Sequence, residues 1–265
     1  MYKLGWFSTG RDKAARDLLQ TVLDSMESGE IAAQVAFVFS NRQPGEAEES
    51  DLFFELVNRR RIPLLYLSSR ELRAQGGKGW RRRYDRKVMK LLKDYRPDLC
   101  VLAGYMLIVG EELCRRYNMI NLHPALPGGP TGTWQEVIWK LIETYASETG
   151  VMMHLVTPEL DRGPVVSYCR FSIAGPPFAP LWQQLRGKSI PEVKAEQGER
   201  NPLFRLIRRH GLAREFPLIV ATVKAFAEGR IRVETGKVVS SQGQATSGYD
   251  LTQEIDRMVE GKLQS

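Results

Sequence analysis

The 265-residue chain holds three histidines, His123, His154 and His210. His123 follows Asn121 by two residues in Met119-Ile120-Asn121-Leu122-His123, a strand-like run that enters Pro124. On a strand, side chains two residues apart leave from one face. An amide and an imidazole on one face can donate hydrogen bonds to a single oxygen, the requirement for stabilising an oxyanion. Asp161 stands in a turn-rich segment between two apolar runs. A carboxylate beside His123 would favour the imidazolium and orient the ring. Together the three groups suit attack on a carbonyl-type carbon, with charge building on oxygen and a proton to move. Each also has an ordinary reading. A single histidine commonly has a structural role, and a loop aspartate commonly bonds its own backbone. Spacing alone leaves both readings open. His154 alternates along a strand and reads as a core or supporting histidine. His210, within Arg205-x-x-Arg208-Arg209-His210, reads as part of a solvated helix face.

The elements that must position these groups follow from periodicity. Tyr2–Phe7 predicts a buried strand, Ser8-Thr9-Gly10-Arg11-Asp12 a tight turn, and Ala14, Ala15, Leu18, Leu19, Val22 and Leu23 a helix. Further strands are expected over Ala33–Phe39, Ile62–Leu67, Leu99–Ala103, Met119–His123, Val151–Thr157 and Val165–Ile173. Helices are expected over Asp51–Arg60 (Leu52, Phe53, Leu56 and Val57 inward), Tyr84–Tyr95, Glu111–Tyr117, Trp134–Tyr145 and Phe216–Ala227. Residues 124–133 must be loop. Residues 176–215, with five prolines, read as irregular; Thr235–Gly248 reads as mobile and Tyr249–Leu263 as a terminal helix. Alternating strands and helices predict an α/β fold, a Rossmann-like, mostly parallel sheet with helices on both faces. In such sheets ligands bind beyond the carboxyl ends of the strands, here the segments 8–12, 40–42 and 104–106. Neither GxGxxG nor GxxxxGK[ST] occurs, which removes a standard dinucleotide fingerprint and a Walker loop.

Composition excludes several classes. The apolar fraction of 43% and charged fraction of 26% are those of a globular chain. Three cysteines without CxxC spacing give neither a zinc cage nor a disulfide scaffold. No apolar run approaches the roughly 18 residues of a membrane span, and the first residues lack a signal-peptide layout. A soluble, cytoplasmic protein is expected. The net charge is +7, but Arg59–Arg96 alone holds fourteen Lys and Arg against three acidic residues, so the remainder is net acidic. That block suits an anionic partner or a solvated helix face. It matches no nucleic-acid recognition motif, so small-molecule substrates are expected rather than nucleic acid or membrane. The oligomeric state is left open, with a homodimer as one option.

Five segments carry a family resemblance: Phe7–Asp12 (FSTGRD), Val38–Arg42 (VFSNR), Leu102–Val109 (LAGYMLIV), Asn121–Pro127 (NLHPALP) and Val156–Val165 (VTPELDRGPV). In order and separation the chain resembles the folate-dependent formyltransferases, and among them the phosphoribosylglycinamide formyltransferases. The resemblance covers residues 1–175 and 216–233, and NLHP with ELDxGP is its most specific part. It implies a formyltransferase fold over residues 1–233, with an extra segment at about 176–215, followed by a partly flexible tail at 234–265. It implies transfer of a formyl group from the co-substrate 10-formyltetrahydrofolate to the amine of phosphoribosyl-glycinamide in purine synthesis. The alternatives are another amine acceptor or hydrolysis of the formylated folate. The catalytic residues it implies are Asn121, His123 and Asp161, with no metal. The folate side would use Arg81, Met106, Leu107, Ile108, Val109 and Asn121, and the acceptor's phosphate would sit at Gly10, Arg11 and Asp12, with Asp12 capping the following helix. The chain departs from the family at the Ser-Thr-Gly-Arg-Asp turn, at Thr133 in place of a histidine, at Leu107 in place of an arginine and at Leu212 in place of a glutamate. All but Leu107 bear on the acceptor.

Overall fold

The structure, a computed structural model, describes residues 1–77 and 79–263. Lys78 of the basic block, and Gln264 and Ser265 of the expected tail, lie outside the described residues. Strand and helix alternate through the first half: β1 (Tyr2–Phe7), α1 (Lys13–Glu27), β2 (Ala33–Ser40), α2 (Glu48–Arg59), β3 (Leu64–Tyr66), α3 (Arg70–Ala74), α4 (Trp80–Leu91), β4 (Leu99–Leu102), α5 (Glu111–Arg116) and β5 (Met119–His123). These five strands are parallel and lie in the order β3-β2-β1-β4-β5. The chain thus builds outward from β1 to β3, then crosses back to place β4 on the other side of β1. A crevice opens at that reversal, outside the carboxyl ends of β1 and β4.

The strands are apolar on both faces because both are covered. On one face Leu4, Trp6, Val38 and Val101 pack with α1 and α2; on the other Phe7, Phe37, Phe39 and Leu102 pack with α4 and α5. Side-chain alternation assigns these residues to their faces. Helix α2 begins three residues earlier than expected, and its inward residue is Phe54 (4% exposed) rather than Leu52 (37% exposed). Helix α4 likewise starts at Trp80, leaving Leu91 outside and burying Tyr84, Val88 and the following Leu92.

After α6 (Trp134–Glu143), β6 (Glu148–Leu155) pairs antiparallel with β5, and β7 (Val165–Ser172) antiparallel with β6. Residues 176–215, expected to be irregular, instead form α7 (Ala179–Leu185), α8 (Ile190–Gln197), a turn of 3-10 helix at Gly198–Arg200 and the first half of the 26-residue α9 (Pro202–Ala227). Pro180, Pro191 and Pro202 stand in the first turns of their helices, where no backbone N–H is needed. They start helices here rather than break them. Pro217 lies inside α9, which runs through it. Phe178, Leu185, Ile190, Val193, Leu203 and Phe204 build a separate apolar cluster with α6.

The stretch from Thr235, expected to be mobile, carries regular structure in part. β8 (Ile231–Glu234) and β9 (Lys237–Ser240) form a hairpin whose two turn residues, Thr235 and Gly236, have φ of 47° and 74°. Two left-handed residues are what a tight hairpin requires, and a β-branched residue at the first of them hides the signal. β10 (Tyr249–Asp250) extends the sheet beside β7, and α10 (Thr252–Leu263) buries Ile255 and Val259 in the core. Among the described residues no helix is long and apolar enough to cross a membrane.

Candidate active site

Strand β5 presents Asn121 and His123 on one face, as its period requires. The antiparallel register sets His154 opposite Asn121 and Met152 opposite His123. His123 and His154 are each 2% exposed. The Nδ1 of His154 lies 2.8 Å from the Leu155 carbonyl. A carbonyl only accepts, so Nδ1 carries the proton and Nε2 is left to accept. It accepts from the Asn121 amide at 3.2 Å, which fixes that amide's orientation. The second amide hydrogen of Asn121 remains for the cavity.

The 156–164 loop brings Asp161 back over this face. Asp161 takes a φ of 54°, and Gly163 follows because a Cβ there would stand 1.8 Å from the Leu155 carbonyl oxygen. The Oδ2 of Asp161 accepts from the Gly132 N–H at 3.0 Å and faces His123 Nδ1 at 3.5 Å, while Oδ1 faces His154 Nε2 at 3.6 Å. Burial pushes the Asp161 carboxyl up, but the His154 and His123 imidazoles, in the states in which they present an N–H or a charge to it, and the Gly132 N–H hold it below the usual carboxylate range. Asp161 is therefore an ionised carboxylate.

His123 differs from expectation. Burial lowers its pKa more than Asp161 and the Pro130 carbonyl raise it, so the ring is neutral near pH 7 rather than held cationic by Asp161. Its Nε2 donates to the Pro130 carbonyl at 2.8 Å. The Nδ1 lone pair then faces Asp161. A proton arriving at Nδ1 would meet a waiting carboxylate.

These residues line a cavity of about 290 Å³. The segments 8–12 and 104–106 reach it; 40–42 does not line it but is tied to both through Thr9. Thr9 Oγ1 donates to Asn41 Oδ1 at 2.7 Å and accepts from Met106 N–H at 2.9 Å. Met106, Leu107, Ile108 and Val109 form one wall. No backbone N–H or C=O of Leu107 or Ile108 has a partner among the described residues, so this wall offers a free donor-and-acceptor edge. Asp85 on α4 pins the end of that wall by accepting from Gly110 N–H at 2.7 Å. It is 4% exposed, and burial pushes its carboxyl up to about 6.

Arg11 and Asp12 also line the cavity, whereas Gly10 and Arg81 do not. Gly10 sits behind the turn with φ of 61°, where a Cβ would strike Phe53 at 2.8 Å. Arg81 lies on the exposed first turn of α4, its guanidinium 5.5 Å from the Trp80 ring. Asp12 caps α1 by accepting from Ala15 N–H at 3.0 Å, as expected. Arg11 donates to Met106 Sδ and to Gln135 Oε1, each at 3.1 Å.

Two lining residues, Arg208 and Glu215, were not expected. They are seven residues apart on α9, two helical turns, and therefore on one face. That spacing is in the sequence, but it carries no meaning until 202–215 is known to be helical. His154, expected to play a supporting role, lines the cavity directly.

The formyl transferase family model matches residues 13–174. The chain belongs to the formyl transferase family. This formyl transferase is 27% identical over 238 residues to the phosphoribosylglycinamide formyltransferase of Escherichia coli, covering 87% of this chain and 92% of that protein. It is 30% identical over 156 residues to the formyltetrahydrofolate deformylase of Bacillus subtilis, covering 56% of this chain and 44% of that protein. Among solved structures, the phosphoribosylglycinamide formyltransferase of Coxiella burnetii superposes with a TM-score of 0.67 at 21% identity, covering 94% of this chain and 98% of that one. At that identity the likeness shows the fold.

Proposed function

We propose that this chain moves the formyl group of 10-formyltetrahydrofolate to a primary amine. The observation that carries the reading is the placing of Asn121, His123 and Asp161 on one cavity with the unpaired 107–108 backbone edge. The free backbone groups suit the polar edge of a pterin. Leu107, Ile108 and Val109 suit its ring faces.

The amine nitrogen bonds to the formyl carbon, whose oxygen becomes anionic. The free Asn121 amide hydrogen donates to that oxygen. One amine proton must leave as the new bond forms, and neutral His123 receives it at Nδ1. The imidazolium so made faces ionised Asp161, which stabilises it, and its charge also stabilises the oxyanion. The proton then passes to folate N10 as the carbon–N10 bond breaks. The products are a formamide and tetrahydrofolate. Holding both substrates in one cavity adds the advantage of proximity.

Phosphoribosyl-glycinamide is the first acceptor to try, since the resemblance implies it and the Escherichia coli relative bears its name. The test is tetrahydrofolate release from 10-formyltetrahydrofolate across a panel of primary amines. Release that requires an amine is expected. Equal release with no amine would make water the acceptor, the reaction for which the Bacillus subtilis relative is named. Absence of both release and folate-analogue binding would overturn the proposal.

A further inference from the structure

The acceptor end of the cavity holds a carboxylate that the reaction scheme above does not use. Glu215 on α9 is 5% exposed and lines the cavity. Its Oε1 accepts from Arg208 Nη1 at 2.5 Å. Its Oε2 has no partner among the described residues. Arg208 is itself fixed, its guanidinium lying 4.6 Å from the Trp134 ring centre. Oε2 is not fully enclosed, so it keeps access to solvent and has acceptor lone pairs to spare. On a cavity wall it is the natural seat for an N–H of a ligand. Glu215 also stands near enough to His123 for its charge to act on that ring.

The same end is poorly arranged for a phosphate. The amino end of α1 favours an anion, but Asp12 already occupies it, with Oδ1 on Ala15 N–H and Oδ2 at 3.5 Å from Arg11 Nε. Lys13 does not line the cavity; it pairs with Asp17 at 2.6 Å and its side chain is 77% exposed. Each guanidinium on this wall therefore brings its own carboxylate, Arg11 with Asp12 and Arg208 with Glu215. Glu136, also on the wall, adds a further negative charge. A phosphate dianion would meet no excess of positive charge.

We propose that Glu215, held by Arg208, selects the acceptor: its Oε2 receives an N–H of the acceptor's amino group beside His123, and that acceptor is a primary amine without a phosphate. The inference rests on the formyl-transfer reading. Glu215 accepts a hydrogen bond and no proton. One amine hydrogen still travels through His123 to N10, as the carbon–nitrogen bond forms and the carbon–N10 bond breaks. The second points to Oε2 and orients the nitrogen for attack.

The test compares two acceptors that differ only in the phosphate, phosphoribosyl-glycinamide and its dephosphorylated nucleoside. Turnover is followed by tetrahydrofolate release. Binding is followed by calorimetry on the complex with a folate analogue bearing carbon in place of N10. The nucleoside is expected to match or exceed the phosphate ester in kcat/KM and affinity. Glu215→Gln is expected to raise the nucleoside's KM and Kd about tenfold or more, with folate-analogue affinity unchanged within twofold. Arg208→Gln alongside it checks, by thermal unfolding, that the wall still folds; it should weaken the amine less than Glu215→Gln. A preference for the phosphate ester of tenfold or more would overturn the inference, as would an unchanged acceptor affinity in Glu215→Gln. Failure of formyl transfer to every amine would sink the reading beneath it instead, and the binding arm would still report on Glu215.

Discussion

His123 Nδ1 and Asp161 Oδ2 face each other at 3.5 Å, with both side chains shielded from solvent and no proton on either of the two facing atoms. The pair is poised to take up a proton rather than to supply one. Removing either partner should therefore strike turnover rather than folate binding. His123→Ala and Asp161→Asn are each expected to lower kcat on the order of 10²-fold or more, the scale for groups acting on transition-state charge. Folate-analogue affinity should hold within a few-fold. A His123→Ala enzyme with near wild-type kcat would rule out this ring as the proton acceptor.

The pH profile has a sign that follows from the same pair. Burial holds the His123 pKa below its ordinary 6.5, so the active neutral ring is lost only as pH falls through that lowered value. The rate is expected to be flat through neutrality and to decline on the acid side. Asp161 favours the protonated ring, so Asp161→Asn should move the acid limb to still lower pH, on top of its loss in kcat. A limb that moved upward would show that the carboxylate acts on some other group.

Asp85 couples the 106–109 wall of the cavity to stability. Its carboxyl is raised to about 6 from an ordinary value near 3.8, so the folded state holds its proton more tightly than the unfolded chain. Stability from this group is present at low pH, declines between about pH 4 and pH 6, and does not return above. The shift corresponds to about 3 kcal/mol. Asp85→Asn can still accept from Gly110 N–H without the buried charge. It should raise stability at pH 7.5 by up to about that amount and flatten the dependence between pH 4 and 6. Denaturant titrations at both pH values measure it.

The face that carries Asn121 and His123 was legible because a strand's period of two admits only one answer: the two must share a face. The meeting of Thr9, Asn41 and Met106 followed from the parallel sheet, since all three stand at carboxyl ends. Other features needed the fold. Pro180, Pro191 and Pro202 look like breakers until each is seen in a first turn, and only then do Arg208 and Glu215 fall on one helical face. The lowered pKa of His123 is not legible in sequence, which shows a carboxylate nearby but not how deeply the ring is buried. Arg81 fits a spacing pattern, yet its place on the outer first turn of α4 turns it toward Trp80.

Helix α10 belongs to the core. Ile255 is fully buried and Val259 is 2% exposed, and Arg214 on α9 ties Asp256 at 2.7 Å. Ile255→Ala is expected to cost about 2–5 kcal/mol, as for a large-to-small change in a packed interior. A loss under about 0.5 kcal/mol in urea unfolding would mean that α10 contributes little to the fold.

Arg11 was expected to be the fork for an acceptor's phosphate, and Asp12 decides whether it can be. Asp12 is both the cap of α1 and the partner of Arg11 Nε at 3.5 Å. Asparagine keeps the capping oxygen, since Asn and Asp cap about equally well. Asp12→Asn therefore removes the charge while retaining the helix start. Arg11 would then carry an unopposed charge at a helix end that already favours anions. The ratio of kcat/KM for phosphoribosyl-glycinamide over its dephosphorylated nucleoside is expected to rise about tenfold in Asp12→Asn. Folate-analogue affinity and melting temperature should stay close to those of the parent. Arg11→Ala in the same background should return the ratio to its starting value, because the gain depends on that guanidinium. If Asp12→Asn left the ratio unmoved, the Arg11–Asp12 pair would have no part in discriminating against phosphate.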